Sequence, residues 1–202
     1  MTDQQTLRRQ LKQLRHALPA REAASAQAAI LRRLRRHTWF VRARRIAAYF
    51  GSNGEVDPMP LLTQISDPRR RLYLPVLHPF RHGRLWFCAW RPGDRLHPNR
   101  FGIPEPVKRG VHIRPAQQFD LVIVPLLGFD ADGNRLGMGG GFYDRTFAFR
   151  ANRRHMKRPL LVGLAYEMQR VERLPVQPWD IALDAVISEC RVYERRPAPL
   201  SR

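Results

Sequence analysis

The sequence predicts an α/β fold, a single layered domain over residues 1–195 built on a mostly parallel central sheet. Three observations carry that expectation. Short apolar runs recur from residue 46 onward: "RIAAYF", "RLYLPVL", "LWFCAW", "FDLVIVPLLGF", "PLLVGLAY" and "DAVISEC". Most are continuously apolar rather than alternating, as in strands covered on both faces. Helical patterns precede and separate them, the order of an α/β layer fold. With 202 residues, 44% of them apolar, the chain can bury a proper core, and no internal repeat or linker divides it.

The elements follow in order. Leu7, Leu11, Leu14 and Leu18 are spaced 4, 3 and 4, an amphipathic helix with a basic outer face that stops at Pro19. A second helix, "AREAASAQAAILRRLRRH", sets Ile30, Leu31 and Leu34 on one side and five arginines on the other. That arginine face is either a solvated surface or a surface for an anionic partner. "PMPLLTQI" and "GFYDRTFAFR" read as helices between strands, and the 17-residue stretch "WRPGDRLHPNRFGIPEP" reads as a long ordered loop over the sheet. Residues 196–202 read as a flexible tail.

Thirty-six basic against 17 acidic residues give a net charge of +19, most of it arginine, so the natural partners are anions. Cys88 and Cys190 have neither CxxC spacing nor a paired framework, which fits two buried thiols in a reducing compartment. The N-terminus has no apolar block of signal-peptide type, and no run of about 18 apolar residues occurs. The expectation is a soluble, cytoplasmic protein without membrane association. His78 and His82 stand four apart, but Pro79 spoils a helix there and no Glu accompanies them, so they do not form a zinc motif.

The most unusual stretch is "RLGMGGGFYDR", residues 135–145, with glycine at 137, 139, 140 and 141. Each glycine forgoes about 0.5–1 kcal/mol relative to alanine inside regular structure, so four together need a reason. The stretch follows the strand-like "LVIVPLLGFD" and enters a predicted helix at Phe142, the position where open α/β sheets bind ligands. Successive glycine N–H groups can face one concavity and, with the helix N-terminus, cradle phosphate. Arg135 and Arg145 flank the loop as charge-assisted donors. It matches neither a P-loop nor GxGxxG, since Phe142 stands where the last glycine would be, and a packing turn or β-bulge is the alternative.

Asp144 follows within the first helical turn, as a cap or as a magnesium ligand, because Mg²⁺ usually takes one or two carboxylates and completes its shell with water and phosphate. The second carboxylate comes from "PWDIALDAVIS", at Asp180 or Asp184.

These residues carry a resemblance. "GFDADGNRLGMGGGFYDR" resembles the signature of the 5-formyltetrahydrofolate cyclo-ligase family, also called methenyltetrahydrofolate synthetases, and "LRRQLKQLRHAL", "YFGSNGEVD", "WRPGDRLHPNRFGIPEP" and "LPVQPWDIALDAVIS" agree in order. The resemblance spans nearly the whole chain. It implies one α/β domain of the type shared with sugar-phosphate isomerases and CoA transferases. It implies an ATP-dependent ligase of one-carbon metabolism that closes 5-formyltetrahydrofolate, polyglutamylated forms included, into 5,10-methenyltetrahydrofolate through a phosphorylated formyl intermediate, with Mg²⁺ as cofactor. A monomer with no specific nucleic-acid partner is expected.

Carried over to this chain, the resemblance implies ATP contacts at Arg8, Arg135, Leu136, Gly137, Met138, Gly139, Gly140, Gly141, Phe142 and Tyr143, with Arg135 and Tyr143 catalytic. Folate contacts fall at Phe50, Glu55, Met138, Gly139, Gly140, Gly141 and Phe142, and metal ligands at Asp144 and Asp180. The chain departs from the family at Gln4, where a basic residue is usual, and at Met138, where many relatives carry tyrosine or arginine. Two rival classes are a nucleic-acid-associated protein, suggested by the charge but lacking any RRM, KH or zinc-knuckle signature, and an isomerase-like enzyme whose loop holds a phosphate monoester.

Overall fold

A computed structural model describes residues 3–107, 110–151 and 158–195. The predicted tail at 196–202 lies outside the described residues. Helix α1 (Asp3–Ala17) is followed after Pro19 by α2 (Ala20–Arg36) and the short α3 (Thr38–Arg42). Ile30 and Leu34 of α2 are fully buried, each contributing about 1.5–3 kcal/mol relative to exposure. The α1 stripe differs from its prediction in one place: Leu14 is largely exposed, and Arg15 takes the inward position.

The strands are β1 (Arg45–Ala47), β2 (Arg71–Leu77), β3 (Leu85–Trp90), β4 (Leu96–Pro98), β5 (Pro104–Pro106), β6 (Ile113–Arg114), β7 (Leu121–Val124), β8 (Gly128–Phe129), β9 (Arg135–Leu136), β10 (Leu160–Leu164), β11 (Ala185–Ile187) and β12 (Val192–Glu194). Helices α4 (Met59–Leu62) and α5 (Phe142–Phe147) lie between them, shorter than "PMPLLTQI" and "GFYDRTFAFR" suggest, although a 3₁₀ turn extends α5 through Arg150. Eight strands form one sheet in the order β12-β11-β10-β7-β1-β2-β3-β6. The middle five, β11, β10, β7, β1 and β2, are mutually parallel, and β12, β3 and β6 add antiparallel edges.

Both faces of that sheet are covered, which is why its central strand is continuously apolar. Along β7, Leu121 and Ile123 pack with Ile30, Leu34 and Phe40 of the helical layer. The alternate residues Val122 and Val124 pack with Phe87, Phe119 and Phe147 on the other side. Leu11 of α1 joins a smaller cluster with Leu136 and Leu174, which docks α1 beside β9.

Three readings of the sequence are corrected. The proline- and glycine-rich stretch is not a loop throughout, because β4 and β5 pair within it as a hairpin. The glycine stretch does not follow the central strand directly: β8 and β9 form a hairpin in between, and two-residue strands are too short to leave a periodic signature. Cys88 is buried as expected, whereas Cys190 is exposed, in the short connection from β11 to β12.

Candidate active site

The site is assembled on the segments that leave the carboxyl ends of the parallel strands. After β7 the chain forms the β8–β9 hairpin, whose turn is organised by the buried carboxylate of Asp130. Its Oδ1 accepts the backbone N–H groups of Asp132 (3.1 Å) and Asn134 (3.0 Å), while Oδ2 accepts Asn134 Nδ2 (2.9 Å) and the Leu174 N–H (3.1 Å). One side chain thus ties the hairpin to the segment that carries Asp180.

From β9 the chain enters the glycine stretch. Gly139 (φ +100°) and Gly141 (φ +60°) hold backbone conformations that side chains of L-residues resist. Gly140 is needed for a different reason, since a Cβ there would come within 2.9 Å of the Phe142 ring. Two arginines hold the loop through its carbonyls. Arg8 of α1 donates Nε to Gly137 O (2.9 Å), and Arg145 donates to Gly140 O and to Gly83 O (3.0 Å). Among the described residues, no hydrogen bond takes up the backbone N–H of Gly137, Gly139, Gly140 or Gly141. Carbonyls held from outside and free amides are the arrangement that suits an anion. Gln4 accepts from Arg8 Nη2 (3.2 Å) and donates to Pro175 O (3.1 Å), so it braces Arg8.

At the start of α5, Gly141 is the N-cap, and the Asp144 side chain makes no capping bond. Asp144 Oδ1 accepts instead from Arg135 Nη2 (2.7 Å) and from the Ile181 N–H (3.1 Å), bringing it next to Asp180 in the chain. Asp180 Oδ2 accepts the Gln177 N–H (2.8 Å). Asp184 is engaged elsewhere, with Arg150 Nη2 donating to its Oδ1 and the Leu161 N–H to its Oδ2, each at 2.7 Å. Asp144 Oδ2 and Asp180 Oδ1 accept no hydrogen bond among the described residues. Two carboxylates with one uncommitted oxygen each fit a hard cation that completes its shell with water and phosphate; no group of three metal-ligating side chains occurs among the described residues.

A second group of residues lies after β1. Asn53 (φ +50°) and Gly54 (φ +78°) turn the chain so that Glu55 folds back, its Oε2 accepting Ser52 N–H (3.2 Å) and Oγ (3.3 Å). Burial pushes the Glu55 carboxyl above its usual range, opposed by Arg15, whose Nη1 lies 3.7 Å from Oε1. Phe50 packs edge-on against Trp90 at 5.4 Å between ring centres. Phe142 meets Phe101 at 5.7 Å, and Met138 is exposed.

Tyr143 joins the two groups. Its ring stacks on Phe147 (6.2 Å) with the Arg135 guanidinium 5.8 Å from its centre. Burial pushes its phenol well up, against the pull of Arg135, and Glu55 pushes the same way. The shift disfavours the phenolate. His78 has a local role: its Nδ1 accepts the N–H groups of Phe80 (3.1 Å) and Arg81 (3.0 Å) in a turn.

Arg15 and Asp130 are absent from the sequence-based list. Arg15 stands four residues after Leu11 on the same helix face, a signal that was available; Asp130 gave none beyond the turn-like "DADGN".

A doubly covered, mostly parallel sheet with a glycine loop and two carboxylates beyond its strand ends has the build of an α/β enzyme, a class whose ligands bind at that edge of the sheet. The profile of the 5-formyltetrahydrofolate cyclo-ligase family matches residues 1–189, so the chain belongs to that family. The 5-formyltetrahydrofolate cyclo-ligase of Escherichia coli K12 is 40% identical over 184 residues, covering 91% of this chain and 99% of the relative. That of Haemophilus influenzae is 36% identical over 179 residues, covering 89% and 94%. The structure of Aquifex aeolicus 5,10-methenyltetrahydrofolate synthetase superposes with a TM-score of 0.81 at 29% identity, covering 100% of this chain and 97% of that one.

Proposed function

We propose that this chain uses ATP to cyclise 5-formyltetrahydrofolate into 5,10-methenyltetrahydrofolate, through a phosphorylated formyl group. The observation that carries the reading is the cradle of unbonded N–H groups held between Arg8 and Arg145, in a chain of this family. ATP phosphates lie along Gly137, Gly139, Gly140 and Gly141, with Arg8 and Arg135 at the edges. The pterin ring lies against Phe50, Phe142 and Met138, with Glu55 accepting its N–H groups.

The chemistry needs no protein nucleophile. The formamide oxygen attacks the γ-phosphorus, ADP leaves, and the formyl carbon becomes an iminium that carries phosphate. The folate's second nitrogen then attacks that carbon, loses its proton, and phosphate departs with the former formyl oxygen. Phosphoryl transfer of this kind depends on alignment and charge neutralisation. The backbone cradle aligns the phosphates, Arg135 neutralises charge beside them, and the neutral Tyr143 hydroxyl donates toward the reacting oxygens. Mg²⁺ held by Asp144 and Asp180 would screen the phosphate charge. Among the described residues no helix is long and apolar enough to cross a membrane; a monomeric, cytoplasmic enzyme completes the proposal.

Labelling the formyl oxygen with a heavy isotope tests the route. Recovery of the label in the released phosphate is the expected result, and label retained in water or nucleotide would overturn it.

A further inference from the structure

Arg15 poses a question that the proposed reaction leaves open. Its side chain is 1% exposed, and its Nε and Nη1 make no hydrogen bond among the described residues. A buried guanidinium with unused donors is costly, because each lost hydrogen bond to water goes unreplaced. The 52–55 turn lies against its stem, since a Cβ on Gly54 would lie 3.6 Å from Arg15 Cγ. The neighbouring carboxylate does not satisfy it: at 3.7 Å, Glu55 Oε1 forms an ion pair but no hydrogen bond. Acceptor and donors thus stand side by side, both buried and neither fully engaged.

We infer that Arg15 and Glu55 together read one edge of the ligand, Glu55 accepting adjacent N–H groups while Arg15 donates to a carbonyl oxygen beside them. The inference rests on the folate reading above. A 2-amino-4-oxo pyrimidine edge presents that order: amino N–H, ring N–H, carbonyl. Arg15 is then a specificity residue, selecting the 4-oxo group. Burial pushes the Glu55 carboxyl up and Arg15 opposes that shift, while burial also pushes up the Tyr49 and Tyr143 phenols; Asp57, beside Tyr49, and Glu189, beside Tyr166, complete the charged surroundings.

The test compares binding of 5-formyltetrahydrofolate with binding of its 2,4-diamino counterpart, by calorimetry, in the parent, Arg15→Met and Arg15→Lys, with ATP affinity and a thermal melt alongside. A site that hydrogen-bonds a carbonyl discriminates strongly against an analogue lacking it. The parent is expected to prefer the 4-oxo compound, and Arg15→Met to reduce that preference about tenfold with ATP affinity unchanged. Arg15→Lys, which keeps the buried charge and so the fold, reduces it less. Equal losses for both compounds, or an unchanged preference in whichever variants fold, overturns the assignment to Arg15. A parent that binds neither compound overturns the folate reading instead.

Discussion

Replacing Gly139 by alanine separates the two uses a chain can make of a glycine loop. At φ +100° the residue occupies a region that L-residues rarely adopt, yet the nearest atom to an added Cβ is Arg8 Cζ, 3.9 Å away. The substitution therefore introduces backbone strain with no clash. Such strain costs about 1–3 kcal/mol, and for a chain of this size each kcal/mol lowers Tm by about 2–4 °C, so a fall of roughly 2–12 °C is expected. Gly93 supplies the control, with φ +90° in the 91–94 turn, nothing within 4 Å of its Cβ and no part in the candidate site. Gly139→Ala and Gly93→Ala should lose similar stability by thermal melt. Only Gly139→Ala should lose MgATP affinity by calorimetry, because relieving the strain rotates peptide N–H groups out of the cradle. A weakening of about tenfold corresponds to 1.4 kcal/mol, within the strain available. Equal ATP affinity in the two folded variants would refute the cradle, and no stability loss in either would refute the strain argument.

Asp144→Asn keeps the shape and a single acceptor for Ile181, so it should fold; the Mg²⁺ concentration for half-maximal turnover should rise about tenfold, and an unchanged requirement would leave Asp144 as a structural partner of Arg135 and Ile181. Glu55→Gln should raise KM for the folate about tenfold while leaving KM for ATP within about twofold, since an amide replaces only part of the carboxylate's accepting capacity. The same variant reports on pH. Because burial raises the Glu55 pKa above 4.5, the folded chain holds that proton more tightly than the unfolded chain; the stability linked to the group is present at low pH and declines as pH rises through the raised value. Parent-minus-variant melting differences across that range should show this decline, and a flat difference would contradict it. Tyr143→Phe should lower kcat without moving the alkaline limb of the pH profile, as the phenol remains neutral there; a shifted limb would make Tyr143 an ionising group.

Legibility in the sequence followed from how local each signal is. The β7 run and the α2 stripe announce themselves because burial on both faces, or on one helical face, writes a pattern into successive residues. The glycine loop and Asp144 were visible as a cluster at a strand-to-helix junction. What escaped depends on pairing between distant segments. The β8–β9 hairpin is held by two short strands and by Asp130 reaching Leu174, 44 positions on. Arg15 escaped because an arginine in a basic helix is ordinarily a solvated one. Its burial comes from the 52–55 turn folding over it, which α1 by itself does not encode. Cys190 went the other way, exposed because β11 and β12 are joined by a turn too tight to bury it.

The most direct measurement follows the near-ultraviolet absorbance of 5,10-methenyltetrahydrofolate after the protein is mixed with 5-formyltetrahydrofolate, ATP and Mg²⁺. The account predicts a rise that requires all three and is matched mole for mole by released phosphate. A flat trace from folded protein with authentic substrate, or product formed without phosphate release, would contradict it.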